Sequence, residues 1–122
     1  MTDRTQFDEE AARETRRQVV AAAEALLRGD VGVIEGAQRL SSLASSVVDD
    51  WFNDEDFRVF GVLDTETDHL PVGRVREFWD PVALREKDAT IQRIEDAQRS
   101  EVEAACRRLV NRFRDEPRTH AT

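Results

Sequence analysis

The feature that most constrains the fold is the run of residues 82–116, which contains neither glycine nor proline. Asp80 and Pro81 precede this run, and a capping acid followed by proline is a typical helix start. Apolar residues recur along the run at the spacing of one helix face. The pattern predicts one helix from Pro81 to Arg114, about 51 Å long at 1.5 Å per residue.

A helix of that length is longer than the domain that it belongs to. A compact chain of 122 residues has a radius of gyration of about 14 Å, which corresponds to a globule roughly 35 Å across. The overhanging end would expose either Leu84 and Ile91 or Leu109 and Phe113, a liability that monomers avoid. We therefore expect a homodimer formed through this helix, since two-fold pairing is the commonest solution. A kink near Asp88 that folds the helix back is the alternative.

The chain before this helix is interpreted as three shorter helices with brief breaks. Helical spacing predicts the first over about residues 7–28 and the second over about 31–48, with Gly29 ending the first. Residues 57–63 fit both a short helix and a strand. A helix is preferred there because a lone strand would have no partner elsewhere in the chain.

The predicted architecture is one all-α domain over residues 1–122, resembling a four-helix bundle. Its last helix is the long one, and an acidic loop connects the third helix to it. Residues 1–5 and 117–122 are expected to be frayed.

The negative charge of the chain is concentrated in residues 49–68, which we call the acidic segment. The net charge is −8, and this segment alone holds eight acids against one base, Arg58. Nucleic-acid binding is excluded, because it needs clustered Lys and Arg. The leading interpretation is a non-catalytic interaction module, immunity- or inhibitor-like, that presents the acidic segment to a basic partner protein.

Three acids and a histidine form the one group with a metal-ligand character: Asp64, Glu66, Asp68 and His69, here called the carboxylate–histidine cluster. Alternating acids also begin a calcium-binding EF-hand loop, but that loop needs glycine at its sixth position and glutamate at its twelfth. His69 and Val75 stand there, so an EF-hand is excluded. A small metal-dependent enzyme or regulator that uses this cluster is the alternative function.

Other motifs of catalysis, cofactor binding or targeting are missing from the sequence. No residue is assigned a catalytic role and no cofactor is expected. The single cysteine, Cys106, cannot form an internal disulfide, and this favours a cytoplasmic location. No apolar run approaches the 18 residues of a membrane span. Lys87 is the only lysine, and this arginine bias suggests a bacterial source.

Two segments and one tryptophan resemble a family of small uncharacterised bacterial proteins. The segments are IEGAQRL at 34–40 and DTETDHLPVG at 64–73, followed by Trp79, and the resemblance covers about residues 20–113. It implies that both segments belong to one unit and brings no established activity. The junction where they would meet is the predicted functional site, formed by Glu35, Arg39, Asp64, Glu66, Asp68, His69, Arg74 and Trp79.

Overall fold

The computed structural model of the protein describes residues 2–114, with side chains from Glu9 onward, and this part of the chain is helical without any strand. The predicted all-α class is therefore confirmed. The helices are α1 (Thr2–Arg28), α2 (Val33–Ala44), α3 (Arg58–Thr67) and α4 (Pro81–Arg114), and two short 3-10 turns cover Trp51–Asn53 and Gly73–Phe78.

The long helix begins where the sequence predicts and is helical through Arg114, the last residue that the structure describes. α4 comprises 34 residues, and the carboxylate of Asp80 accepts hydrogen bonds from the amides of Val82 and Ala83 at 3.0 and 3.2 Å. Pro81 occupies the first helical position and has no amide hydrogen that needs an acceptor, so the helix is fully capped. α4 passes through Asp88 without interruption.

The first two helices differ from their predicted bounds. α1 begins at Thr2, five residues earlier than expected, and ends at Arg28 as expected. Gly29 then turns the chain with a φ of 80°, a conformation that glycine adopts without strain. α2 is shorter than the predicted 31–48, because Gly32 is still extended. The fraying expected for residues 1–5 and 117–122 stays a prediction, and the second of these ranges lies outside the described residues.

The ambiguous third element is a helix, and it extends further than the sequence suggests. Phe57, Phe60, Leu63 and Thr67 are all buried at spacings of three to four residues. This stripe keeps the chain helical through Thr67, whose hydroxyl donates to the carbonyl of Leu63 at 2.6 Å. The predicted acidic loop is therefore wrong in its extent, since Asp64 and Glu66 lie on α3 and only Asp68 follows it.

The first and last helices form the most extensive helix pair of the fold. Glu24 of α1 pairs with Arg114 at the end of α4. Beyond the end of α1, Ile34 lies against Glu95, nineteen residues earlier in α4. α1 therefore runs antiparallel to α4.

Three of the four apolar residues expected to overhang are covered by the chain itself. Leu109 and Phe113 belong to the main core, which α1 helps to form. Ile91 lies in a smaller core with Ile34 and Leu70, which α2 and the segment after α3 supply. The expected exposure is thus wrong for Leu109 and Phe113, and in the other pair Ile91 is buried while Leu84 is half-buried. None of the described helices is long and apolar enough to cross a membrane.

Candidate functional site

Two acids of the acidic segment are neutralised within the chain. Arg108 donates from Nε to the Asp56 carboxylate at 2.7 Å, and Arg112 lies 3.0 Å from both Asp54 and Asp56. These two carboxylates are only 13–15 % exposed. Partial burial opposes the charge on Arg112, and the hydrogen bonds and charges of Asp54 and Asp56 outweigh it and raise its pKa. The acidic segment therefore presents six acids, rather than eight, to solvent or to a partner.

A groove of about 320 Å³ lies between α3 and α4, and we call it the α3–α4 groove. Exposed carboxylates of Glu55, Glu66 and Glu101 line it. Its apolar lining includes Val62, whose side chain is 40 % exposed. The residues that line the groove are Glu55, Arg58, Val59, Val62, Leu63, Glu66, Gln98, Glu101 and Arg108.

The two arginines of the groove do not cancel its acidic character. Arg108 is committed to Asp56 by its ion pair, and its second nitrogen lies 3.5 Å from the carbonyl oxygen of Glu55. Arg58 then stands against three exposed glutamates. The groove combines an apolar surface with an excess of negative charge, which is the chemistry that a cationic segment with an aliphatic side chain requires.

The carboxylate–histidine cluster does not converge on one point. Asp64 and Glu66 lie two residues apart in the last turn of α3, and side chains at that spacing do not face each other. His69 Nδ1 lies 3.8 Å from the Asp68 carboxylate, and both side chains are largely exposed. Among the described residues, no group of three or more His, Cys, Asp or Glu side chains is placed to hold a metal ion.

The predicted junction between the two resembling segments is formed only in part. Gln38 of α2 donates to the carbonyl and hydroxyl oxygens of Thr67 at 3.2 and 3.3 Å, which joins α2 to α3. The Glu35 carboxylate lies beside Gly73, where an added Cβ would be 3.4 Å from it. Arg39 instead lines a groove of about 410 Å³ between α1 and α2, together with Glu35. Of the carboxylate–histidine cluster, Glu66 lines the α3–α4 groove, and Asp68 and His69 are largely exposed.

The connection from α3 to α4 is anchored by Arg76, which the predicted junction does not include. Arg76 donates to both carboxylate oxygens of Asp88 at 2.7 and 3.1 Å, and to the carbonyl of Pro71 at 3.1 Å. Arg74 of the same turn is exposed, and Trp79 is half-buried. Arg76 thus links this connection to the first third of α4 through its ion pair with Asp88.

Cys106 is a structural side chain. It is fully buried in the main core, and burial raises the pKa of its thiol to about 12, with the nearby Glu103 charge adding to the rise. A thiol of that pKa is a poor nucleophile near neutral pH, because the thiolate is the reactive species.

Comparison with known proteins identifies one family. Residues 2–109 match a family described as "Protein of unknown function (DUF2489)". This match covers α1, α2, α3 and most of α4, and it agrees with the predicted resemblance to an uncharacterised family. No curated protein and no solved structure matches the chain. Bacterial origin and a cytoplasmic location stay predictions.

Proposed function

The chain belongs to this family of unknown function, and we propose that it is a non-catalytic interaction module whose α3–α4 groove receives a basic segment of a partner protein. The observation that carries the proposal is the pairing of three exposed glutamates with an exposed apolar surface in one groove. Exposed carboxylates steer and orient a cationic partner, and an apolar contact supplies the buried area that holds it.

The chemistry of the groove favours a particular kind of ligand. Glu55 and Glu66 come from the acidic segment, and Glu101 comes from the facing helix. Carboxylates on both sides fit a segment that carries Arg or Lys on two edges and an aliphatic residue between them. A groove of about 320 Å³ accommodates a few side chains rather than a folded domain, so we expect a peptide-like segment.

The test uses a short fluorescent peptide of alternating leucine and arginine, with fluorescence anisotropy as the readout. The variant Glu66→Gln/Glu101→Gln removes two carboxylates of the groove and keeps their size. Exposed ion pairs contribute about 0.2–1 kcal/mol each, so the Kd should rise roughly 2- to 30-fold. Val62→Ser should weaken binding as well, because it removes apolar contact.

The matched control is Glu9→Gln/Glu10→Gln, which neutralises two exposed glutamates on α1. It makes the same change in net charge far from the groove and should leave the Kd unchanged. Equal weakening by the two double variants would mean that only overall charge attracts the peptide, and the groove would then have no special role. An acidic peptide of the same length should not bind.

We also propose that the protein is a homodimer, in which two copies of the chain contact each other through α4. Of the residues first expected to form that interface, Ile91, Leu109 and Phe113 are covered by the chain itself. The interface must therefore use other parts of the surface near α4.

A further inference from the structure

Three exposed apolar side chains lie within eight residues of sequence where α4 begins: Val75, Phe78 and Val82, here called the apolar patch. Their exposed fractions are 47 %, 85 % and 55 %. Val75 and Phe78 are three residues apart in a 3-10 turn, so they lie on the same side of it. Val82 follows in the first turn of α4. No other large apolar side chain among the described residues is as exposed as Phe78.

Neither residues 115–122 nor the start of α1 can cover the apolar patch. Residues 115–122 follow Arg114 and span at most about 29 Å when fully extended. The patch lies at the opposite end of α4, about 50 Å away along a helix of 34 residues. α1 runs antiparallel to α4, and Glu24 already lies beside Arg114. The start of α1 therefore points away from the patch.

The charges around the apolar patch favour a second copy of the same chain as its occupant. Arg74 and Glu77 flank the apolar residues of the 3-10 turn, and Arg85 and Glu86 lie three and four residues after Val82, on the same helix face. All four side chains are exposed, and they carry two positive and two negative charges. A rim with both signs allows a two-fold rotation that brings an arginine of one copy opposite a glutamate of the other.

This balance separates the apolar patch from the α3–α4 groove. A basic partner is attracted by the groove, where exposed glutamates outnumber the one uncommitted arginine. The same partner would meet Arg74 and Arg85 at the patch. A standard interface buries about 800 Å² on each partner, which is more than three side chains supply, so the charged rim on α4 must take part.

We infer that the apolar patch is the self-association surface of this protein, with Phe78 at its centre and the Arg74, Glu77, Arg85 and Glu86 rim pairing across a two-fold axis. The inference rests on the proposed homodimer and gives it a location. It does not depend on the groove. A large exposed aromatic ring is the type of residue that dominates interface energies.

The test is the mass of the full chain measured by light scattering or sedimentation equilibrium across the micromolar range. Wild type should give about 28 kDa, twice the 14.0 kDa of one chain. Phe78→Ser should raise the dimer Kd at least about 30-fold and return the mass towards 14.0 kDa. Arg74→Glu/Arg85→Glu, which makes the rim wholly negative, should also dissociate the dimer.

Val62→Ser is the matched control, because it removes an exposed apolar side chain from the groove instead of the patch. It should keep the dimer while weakening peptide binding, and Phe78→Ser should do the reverse. A wild-type mass of 14.0 kDa throughout the range would overturn the homodimer and leave the patch to another partner. A Phe78→Ser variant that stays dimeric would refute the patch alone.

Discussion

Removal of the Glu95 carboxylate should uncap α2, because the cap of that helix comes from α4. The residue at the N-cap position is Gly32, which has no side chain for the purpose. Glu95 Oε2 accepts a hydrogen bond from the Ile34 amide at 3.0 Å instead. A Cβ added at Gly32 would lie 2.9 Å from the same oxygen, so glycine is what makes room for it.

The cost of the change follows from this geometry. In Glu95→Ala the Ile34 amide loses its acceptor in a partly buried position, which costs about 1–3 kcal/mol, and loss of an N-cap typically costs about 1 kcal/mol. We expect a loss of about 1–2 kcal/mol in the free energy of unfolding. Glu95→Gln keeps an acceptor oxygen and loses only the charge near the helix N-terminus, so it should cost about 0.3–1 kcal/mol.

Urea unfolding followed by circular dichroism measures this loss. With an m-value of about 1–3 kcal/mol/M, Glu95→Ala should lower the midpoint by roughly 0.5–1.5 M urea. Glu101→Ala removes an exposed glutamate from the same helix and should stay within about 0.5 kcal/mol of wild type. Gly32→Ser should stabilise the Glu95→Ala protein, by giving α2 its own cap, and fail to stabilise wild type.

Two results would refute the reasoning. A Glu95→Ala loss no larger than that of Glu101→Ala would show that the carboxylate does not cap α2. The same conclusion would follow if Gly32→Ser had one effect in both backgrounds, since residues in contact normally show a coupling of about 0.5–3 kcal/mol.

Four further outcomes are expected. Hydrogen bonds from Arg76 lower the pKa of Asp88 from its ordinary 3.8. The stability that this pair contributes is therefore complete above pH 3.8 and is lost as the pH falls through the lower pKa of the folded state. The difference in unfolding free energy between wild type and Asp88→Asn should shrink in that pH range. A difference that stays constant with pH would contradict this. Gly61→Ala should lower the Tm, because the added Cβ would lie 2.7 Å from a ring carbon of Trp51. The overpacking cost of about 1–3 kcal/mol exceeds the gain of about 1 kcal/mol in helix propensity. A raised Tm would contradict this prediction. Cys106 should resist thiol reagents in the folded protein and react after unfolding in urea, and rapid reaction of the folded protein would show that the thiol is accessible. Divalent cations should leave the Tm unchanged, whereas a clear rise would favour the metal-dependent alternative for the carboxylate–histidine cluster.

The parts of the fold that the sequence predicts are those set by neighbouring residues. The Asp80–Pro81 cap and the absence of any interior glycine or proline define α4 within its own length. Gly29 ends α1 for an equally local reason, the positive φ that the turn requires. Signals of this kind need no knowledge of the rest of the chain.

The errors concern residues whose roles are set by distant partners. Asp54 and Asp56 read as available acids, because the arginines that neutralise them lie more than 50 positions later. Glu101 belongs to a stretch where charges balance, and only the packing of α4 on α3 brings it into the groove. The sequence around Asp64 and Glu66 is interpreted as a loop because these charged residues interrupt the apolar pattern. The buried stripe of α3 nevertheless continues to Thr67.

The pairing of α1 with α4 has a consequence for how the chain reaches its fold. Glu24 and Arg114 lie about 90 positions apart, and closing a loop of that length costs about 4 kcal/mol of chain entropy. During synthesis α1 emerges first, yet its main partner follows only after α2 and α3. We expect the contacts of α2 with α1 and with α3 to form early and the pairing of α1 with α4 to form last. A chain interrupted before Val102 would leave the part of α1 that packs on α4 open to chaperones and aggregation.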